Sequence, residues 1–599
     1  MNRFTALLKT TLTRLFAAIS RFPLTVICLI GATILLCYMV SLHRQPELIV
    51  HKLSYTFLVG SFLGVAAQFA CERFSRLNQR RLTVYAISTL LIIGYYLILM
   101  PAPALSQEVT TRTFVAVAAM FCAFVWVPSY REAADFNQVS LVHFKSALIS
   151  VLYSAVLAAG CASIIAAVDT LLFNVNEDAY AYTMIIIWVI FAPLYYLSLL
   201  PRFNSQEPTD QEFARYSAQY PRFLEILVSY IAIPLVTVFT LVLTAYFIKI
   251  LFTLKWPSGQ LGSMVLAYSA AGLIIYILAS LPDNRFTSWY IKLFPKVLVP
   301  VVIMQLISVG IRLDAYGITE SRYYIALFGL FALLCAVLLS FLPVSKNGLI
   351  AVLAACFAIL SVVPPIDAFT VSRHSQINRL ERMLEAEGLL HDGQITPKSE
   401  VSMNLRLETT SILNYLQARE YTRYVAWLPT DFNPYNSNNI KNVLGFEPAY
   451  PGLNQENNYF FATLEPQHAV DISGYSIMVH ANSHRGAVGV NETPLDFEVG
   501  GVKYQMLLER LSEQEVKVVV RTATGQEVIA TGLYDFARTI SGIGNAPKEA
   551  LPAEQMSFEV LNQDYKMRIM FQNLNITTGD ATDAGVDYGL IILFGVPSR

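Results

Sequence analysis

The sequence predicts a membrane all-α multispan bundle of about 11 transmembrane helices, followed by a soluble α+β C-terminal domain with a mostly antiparallel sheet. Three observations predict it. Apolar runs of roughly 20 residues, the length a helix needs to cross a bilayer, recur up to Pro365. Charge divides at the same place: 15 acidic and 24 basic residues precede the break, a balance of +9, and 28 acidic and 18 basic residues follow it, a balance of −10. All seven cysteines (Cys28, Cys37, Cys71, Cys122, Cys161, Cys335 and Cys356) lie inside apolar runs, so the polar half holds neither a disulfide framework nor a cysteine-based zinc site. The whole chain is 599 residues long, 55% hydrophobic and 14% charged, against about a quarter charged in an ordinary soluble domain. That composition excludes a disordered chain, a fibrous repeat and a typical cytosolic enzyme. The net charge of −1 gives no reason to expect nucleic acid as a partner.

Residues 1–21 read as an amphipathic basic helix. Phe4, Leu8, Leu12, Leu15 and Ile19 share one face, with Arg3, Arg14 and Arg21 among the polar positions, a pattern suited to the inner membrane surface. A frayed basic tail that only sets topology is the alternative. No small-residue cleavage site follows the first apolar run, so a cleaved signal is not expected. The bundle, residues 22–365, is expected to hold spans near 22–41, 53–71, 82–100, 111–127, 147–168, 180–200, 224–251, 263–281, 297–312, 324–342 and 348–364. With the N-terminus in the cytoplasm, 17 of the 24 Lys and Arg of this half fall in inner segments and seven in outer ones, the bias that sets orientation. An odd span count then places residues 366–599 outside the cytoplasm, and an even count reverses this.

Few polar groups enter the spans. Glu225 and Lys249 sit near opposite ends of one long span, within reach of the two interfaces, and Asp169 closes the fifth span. Gln68 and Gln305 are mid-span amides suited to interhelical hydrogen bonds. Pro193, Pro234 and Pro300 interrupt spans, as broken helices or as tolerated kinks.

The outer loop before the tenth span is richer. Arg312, Asp314, Tyr316, Gly317, Thr319, Glu320, Arg322 and Tyr323 fall within a dozen residues, on the side otherwise poor in arginine. Gly317 permits a turn at positive φ, and Thr319 can cap the following helix. Two guanidiniums beside tyrosines can clamp an anionic headgroup or phosphate. The alternative is an internal ion pair, Asp314–Arg322 or Arg312–Glu320, that merely fixes the hairpin. The order Arg312, Tyr316, Gly317, Thr319, Arg322, Tyr323 resembles the bacterial polytopic membrane family catalogued as domain of unknown function 4153, and Ser375, Gln376, Arg379 and Leu380, just past the last span, are similar to its junction motif. The resemblance covers most of the chain. It implies a bacterial polytopic membrane protein in which these residues matter, and it supplies no activity.

In residues 366–599, helices are expected at 369–390 and 399–420 and a loop at 430–460. Strands are expected at 459–464, 474–480, 496–499, 502–510, 515–522, 526–534, 556–561, 565–571 and 588–595, with turns at Thr524-Gly525 and Asn562 to Asp564. His468, Asp471, His480 and His484 are close in sequence, but two residues four apart on a strand lie about 13 Å apart, too far to share a metal without a turn. Asp580, Asp583 and Asp587 read as a solvated acidic loop, with weak calcium binding as the alternative. No nucleophile elbow, HExxH or phosphate loop occurs. The expectation is a multi-pass protein of the bacterial plasma (inner) membrane with no cofactor and no catalytic or metal residues assigned. It binds or transports an anionic lipid or lipid-linked envelope precursor, with membrane lipids as partners. The alternatives are an envelope sensor or scaffold that recruits a protein partner through its C-terminal domain, and a membrane-embedded transferase or hydrolase using Asp314, Glu320 or Asp169.

Overall fold

The structure is a computed structural model that describes residues 3–44, 46–253, 260–435, 437–450, 459–465, 469–484, 494–541, 550–562, 564–577 and 585–596. α1 (Arg3–Arg21) leads into α2 (Pro23–Ser41), with Phe22 fully buried at the joint. α3 (Leu48–Arg73), α4 (Ser75–Gln79), α5 (Arg81–Leu99), α6 (Gln107–Trp126) and α7 (Phe136–Leu171) follow. α8 (Asp178–Ile185) continues through a π-helical turn into α9 (Ala192–Ser198). α10 (Pro208–Ala218) precedes α11 (Arg222–Glu225), which continues through a second π-helical turn into α12 (Ile233–Thr253). The run ends with α13 (Gln260–Ala279), α14 (Arg285–Tyr316), α15 (Glu320–Phe341) and α16 (Gly348–Leu360). Each π-helical turn stands immediately before a helical segment bearing a proline, Pro193 or Pro234. A proline ring collides with the carbonyl four residues back and offers no N–H, and a widened turn accommodates both defects. Pro300 lies within α14, alongside Pro295.

Among the described residues, 10 helices are long and apolar enough to cross a membrane. The eleventh expected span is α16, with 13 residues. At 1.5 Å per residue it covers about 20 Å, short of a hydrocarbon core of roughly 30 Å. The chain nevertheless completes the return. At the turn into α16, Asn347 donates to Asn137 Oδ1 (2.8 Å) and Ser280 Oγ (3.0 Å), beside the start of α7 and the end of α13. Past α16, Ile366 accepts from the Tyr323 hydroxyl (2.6 Å) at the start of α15. The α15–α16 hairpin therefore runs from one end of the bundle to the other and back.

The two ends differ in chemistry. At one, Arg21 pairs with Glu72 (2.7 Å) and donates to the Pro201 carbonyl (3.0 Å). At the other, Lys52 donates to the carbonyls of Met100 (2.8 Å) and Ala102 (2.6 Å), the α14–α15 turn lies, and α17 (Ala368–Ala386) begins. The mid-span amides act as their position predicts. Gln68 accepts from Arg81 (3.0 Å) on α5, and Gln305 donates to the Gly262 carbonyl (3.4 Å) on α13. The helical core has two large clusters. One is built on Phe22, Phe69, Phe124 and Leu200, the other on Tyr276, Leu298, Val302 and Ala332.

The chain falls into two compact units, Met1–Thr396 with Asn414–Phe432, and Pro397–Leu413 with Asn433–Arg599. This division differs from a cut at Pro365: α17 and the two-residue strands β1 (Leu390–His391) and β2 (Gln394–Ile395) belong with the bundle. α18 (Met403–Ala418) straddles the division, and α19 (Ser437–Leu444) occupies a stretch expected to be loop. The second unit is then a β-rich module. One sheet orders β4 (Ile477–Ser483), β12 (Gly585–Gly595), β11 (Lys566–Thr577), β3 (Tyr459–Leu464) and β9 (Ala550–Leu551), with β10 (Ser557–Leu561) also on β11. The other orders β5 (Leu495–Val499), β6 (Val502–Arg510), β7 (Val516–Thr522) and β8 (Glu527–Gly532). All pairs are antiparallel except β3–β9.

Alternation explains the packing. Tyr504, Met506 and Leu508 of β6 and Val516, Val518 and Val520 of β7 share one core with Tyr588, Leu590, Ile592 and Phe594 of β12 and with Ala537 and Ile540 of α20 (Tyr534–Ser541). Buried Arg510 joins the sheets, donating to Ser483 Oγ (3.1 Å), the Glu513 carbonyl (2.9 Å) and the Val586 carbonyl (2.8 Å).

Candidate functional site at the α14–α15 turn

A helix ends with carbonyls that have no partner in the helix itself. At the end of α14 these oxygens are satisfied by side chains from two later segments. Arg322 donates through Nη1 to the carbonyls of Tyr316 (3.1 Å) and Gly317 (2.8 Å). Gln376 donates to Tyr316 and Ile318 (both 3.0 Å), and Arg379 donates to Ala315 (3.2 Å). In return Ser375 Oγ accepts the Ile318 N–H (2.9 Å). Leu380, one residue on, is fully buried. The two sequence motifs, some 60 residues apart, thus form one hydrogen-bonded knot. Cations suit this place because the C-terminal end of a helix is negative.

Gly317 is required twice over. It closes α14 at φ 69° and ψ 177°, a region only glycine occupies readily. A Cβ there would also lie 2.8 Å from Gln376 Nε2 and 3.3 Å from both Arg379 Cδ and Ser375 Oγ.

The other expected residues are distributed around this knot. Arg312 is half-buried and makes no hydrogen bond or ion pair among the described residues. Asp314 is exposed. Tyr316 is 46% exposed, with the Arg322 guanidinium 5.4 Å from its ring centre. Thr319 stands at the N-cap of α15 without a side-chain cap bond, although its carbonyl accepts from Tyr323 (2.8 Å). Neither Asp314–Arg322 nor Arg312–Glu320 forms an ion pair among the described residues. The reason lies in competition: Arg322 turns to the helix-end carbonyls, and Glu320 is buried in a different set of partners. It accepts from the hydroxyls of Tyr415 (2.6 Å) and Tyr421 (2.8 Å) and lies 3.5 Å from Arg419. Burial, reinforced by the Glu320 charge, pushes both tyrosine hydroxyls well above their usual range, so they remain donors. A cavity of about 40 Å³ adjoins this cluster, lined also by Glu108 and Glu420.

Arg112, Asp367, Tyr415, Arg419 and Tyr421 complete this end of the bundle and were not singled out by the sequence. Asp367 Oδ1 caps α17 by accepting from Phe369 and Thr370 (both 3.0 Å), and Arg112 Nη2 lies 3.3 Å from it and 2.7 Å from Glu108. Burial acts to raise the Asp367 pKa, but the Thr370 and Phe369 bonds and the Arg112 charge outweigh it and hold the carboxyl below its ordinary value. An aspartate directly before a helical pattern was the available signal.

The electrostatic outcome is a cationic corner. Arg312 and Arg379 both act on Arg322 by charge. Arg322 bonds to the Tyr316 and Gly317 carbonyls through Nη1, and among the described residues its Nε and Nη2 make no hydrogen bond.

Asp169 lies elsewhere and accepts the Val175 N–H (2.7 Å). In the β-rich module, His480 and His484 are exposed, with His484 3.9 Å from Asp587, and the described residues hold no cluster of metal-binding side chains. His468, Asp580 and Asp583 lie outside the described residues.

Ten helices among the described residues that are long and apolar enough to cross a membrane, with an arginine-tyrosine turn tied to the helix beyond the bundle, mark a polytopic membrane protein with a β-rich C-terminal region. The chain belongs to the family described as "Domain of unknown function (DUF4153)", whose model matches residues 30–392 and so takes in both motifs. It is also similar to an uncharacterized protein of Pasteurella multocida (strain Pm70), with 22% identity over 333 residues, 54% of this chain and 56% of the relative. The matched stretch thus spans little more than half of that relative. No solved structure matches the chain.

Proposed function

We propose that this is a bacterial plasma-membrane protein that holds an anionic lipid or lipid-linked envelope precursor at the α14–α15 end of its bundle. The β-rich region lies outside the cytoplasm in this reading, supported by the lysine and arginine bias and by the return of the α15–α16 hairpin. The observation that carries the ligand is the cationic corner: Arg312 is half-buried without a partner among the described residues, and it is near enough to Arg322 to act on it by charge. A phosphate bridging the two would give Arg312 charge-assisted hydrogen bonds and add to those that Arg322 makes to the Tyr316 and Gly317 carbonyls.

Arg312→Gln tests this without disturbing the knot. The variant should fold as wild type and bind phosphatidylglycerol about 10-fold more weakly, measured by native mass spectrometry of the detergent-solubilised protein. Unchanged binding, together with full complementation of a deletion strain, would sink the proposal. One observation favours the scaffold reading. The Ser375, Gln376 and Arg379 bonds fasten α17 to the bundle end, an arrangement suited to passing strain between membrane and polar halves. In that case, removing residues 433–599 abolishes function while Arg312→Gln leaves it intact.

A further inference from the structure

The opposite end of the bundle carries a second concentration of guanidinium groups. α1, the residues just after α9, and α10 enclose a cleft of about 270 Å³ whose charged lining is Arg14, Arg21, Arg202 and Asp210. Arg21 is already committed, held in a bidentate pair with Glu72 (2.7 and 2.8 Å) and to the carbonyls of Leu200 and Pro201. Arg202 is 54% exposed and lies 3.5 Å from Asp210, the cleft's one carboxylate. Arg14 lies 4.7 Å from the centre of the Phe213 ring and has no ion pair among the described residues. With Arg21 matched by Glu72 and Arg202 by Asp210, the Arg14 charge remains uncompensated.

We propose that this cleft binds the phosphate of an anionic phospholipid headgroup. Depth argues for lipid as the source. α1 exposes Leu12, Phe16 and Ile19, while Arg21 lies two residues before the first apolar span at Pro23. A basic helix with an apolar exposed face lies in the interface plane, so the cleft opens at headgroup level. Basic pockets at the ends of transmembrane helices take such headgroups. The volume falls just under the roughly 300 Å³ of the smallest drug-sized pockets, enough for a headgroup and not for a bulky solute. The site stands apart from the Arg312 corner and does not depend on it.

The test uses the full chain in an Arg312→Gln background, so that the other end does not contribute. Native mass spectrometry compares binding of phosphatidylglycerol, phosphatidylcholine and inorganic phosphate, with and without Arg14→Gln and Arg202→Gln. Both side chains are exposed, and Arg14→Gln alone, which removes only a ring contact, covers the case in which the double variant is unstable. The expected result is preference for phosphatidylglycerol over phosphatidylcholine, with an affinity about 10-fold lower in the variants. Equal binding of the two lipids, or variants that bind phosphatidylglycerol as tightly as the parent, overturns the proposal. Inorganic phosphate that displaces the lipid and shows the same dependence on Arg14 reassigns the cleft to free phosphate and overturns the lipid assignment.

Discussion

Replacing Gly317 by alanine strikes the knot at its centre. The residue sits at φ 69° and ψ 177°, so the substitution carries a backbone strain of about 1–3 kcal/mol. The new Cβ would lie 2.8 Å from Gln376 Nε2, closer than real Cβ contacts allow, and Gln376 must move away from the carbonyls of Tyr316 and Ile318. Two lost hydrogen bonds add about 1–3 kcal/mol. The sum is a destabilisation of about 2–6 kcal/mol. Gly310, seven residues earlier in the same helix, has nothing within 4 Å of an added Cβ, so Gly310→Ala should gain about 0.5–1 kcal/mol from helix propensity alone. The two variants bracket the effect. Their thermal midpoints, read in detergent by labelling of buried cysteines such as Cys335, should move in opposite directions. If Gly317→Ala melts no lower than Gly310→Ala, the turn does not bind α17 as the geometry requires.

Two further substitutions probe the same physics elsewhere. Asp367→Ala removes the α17 cap and should cost about 1–2 kcal/mol, whereas Asp367→Asn keeps an acceptor oxygen and loses less. The Asp367 carboxyl titrates lower in the folded protein than the roughly 3.9 of an unfolded chain, so its contribution is complete above about pH 4 and fades as the pH falls through the depressed folded value. Thermal midpoints taken across this range should fall less steeply in Asp367→Asn than in wild type, and identical slopes would contradict the assignment. Arg510→Met in the β-rich module removes the donor to Ser483 Oγ and to the Val586 carbonyl, while the Glu513 carbonyl keeps the Val586 N–H, and should cost about 1–3 kcal/mol. Faster amide hydrogen exchange along β12 reports it, and unchanged exchange there would show that Arg510 does not join the two sheets.

The membrane half was legible because a helix that crosses lipid must be apolar along its whole length, which composition alone displays. The prolines at 193 and 234 announced interruptions, but not that a π-helical turn would absorb each one. In the polar half, most strands followed from alternation. β11 is the instructive exception. Its register shifts between Phe571 and Asn573, so buried positions change from Met567, Ile569 and Phe571 to Leu574 and Ile576. A pattern of period two stops at such a bulge, and the expected strand ended at 571 where the real one continues to Thr577. The site was half legible. Arg312 to Tyr323 are neighbours in sequence, and the junction motif was visible as a second cluster. That Ser375, Gln376 and Arg379 meet the α14 carbonyls depends on how α17 packs, which no local pattern encodes. The alternative reading, an Asp314–Arg322 or Arg312–Glu320 ion pair, is not met for a related reason: charge signs suggest pairings, but unsatisfied helix-end carbonyls and the Tyr415 and Tyr421 hydroxyls compete for the same groups.

A structure of the protein extracted with its native lipids retained, at a resolution that shows phosphates, tests the ligand assignment most directly. The expected result is a phosphate within about 3 Å of both Arg312 and the Nε and Nη2 groups of Arg322, with its apolar tail running along the bundle. Arginines at the α14–α15 turn that face only water, in a particle whose other lipids are well ordered, would contradict it.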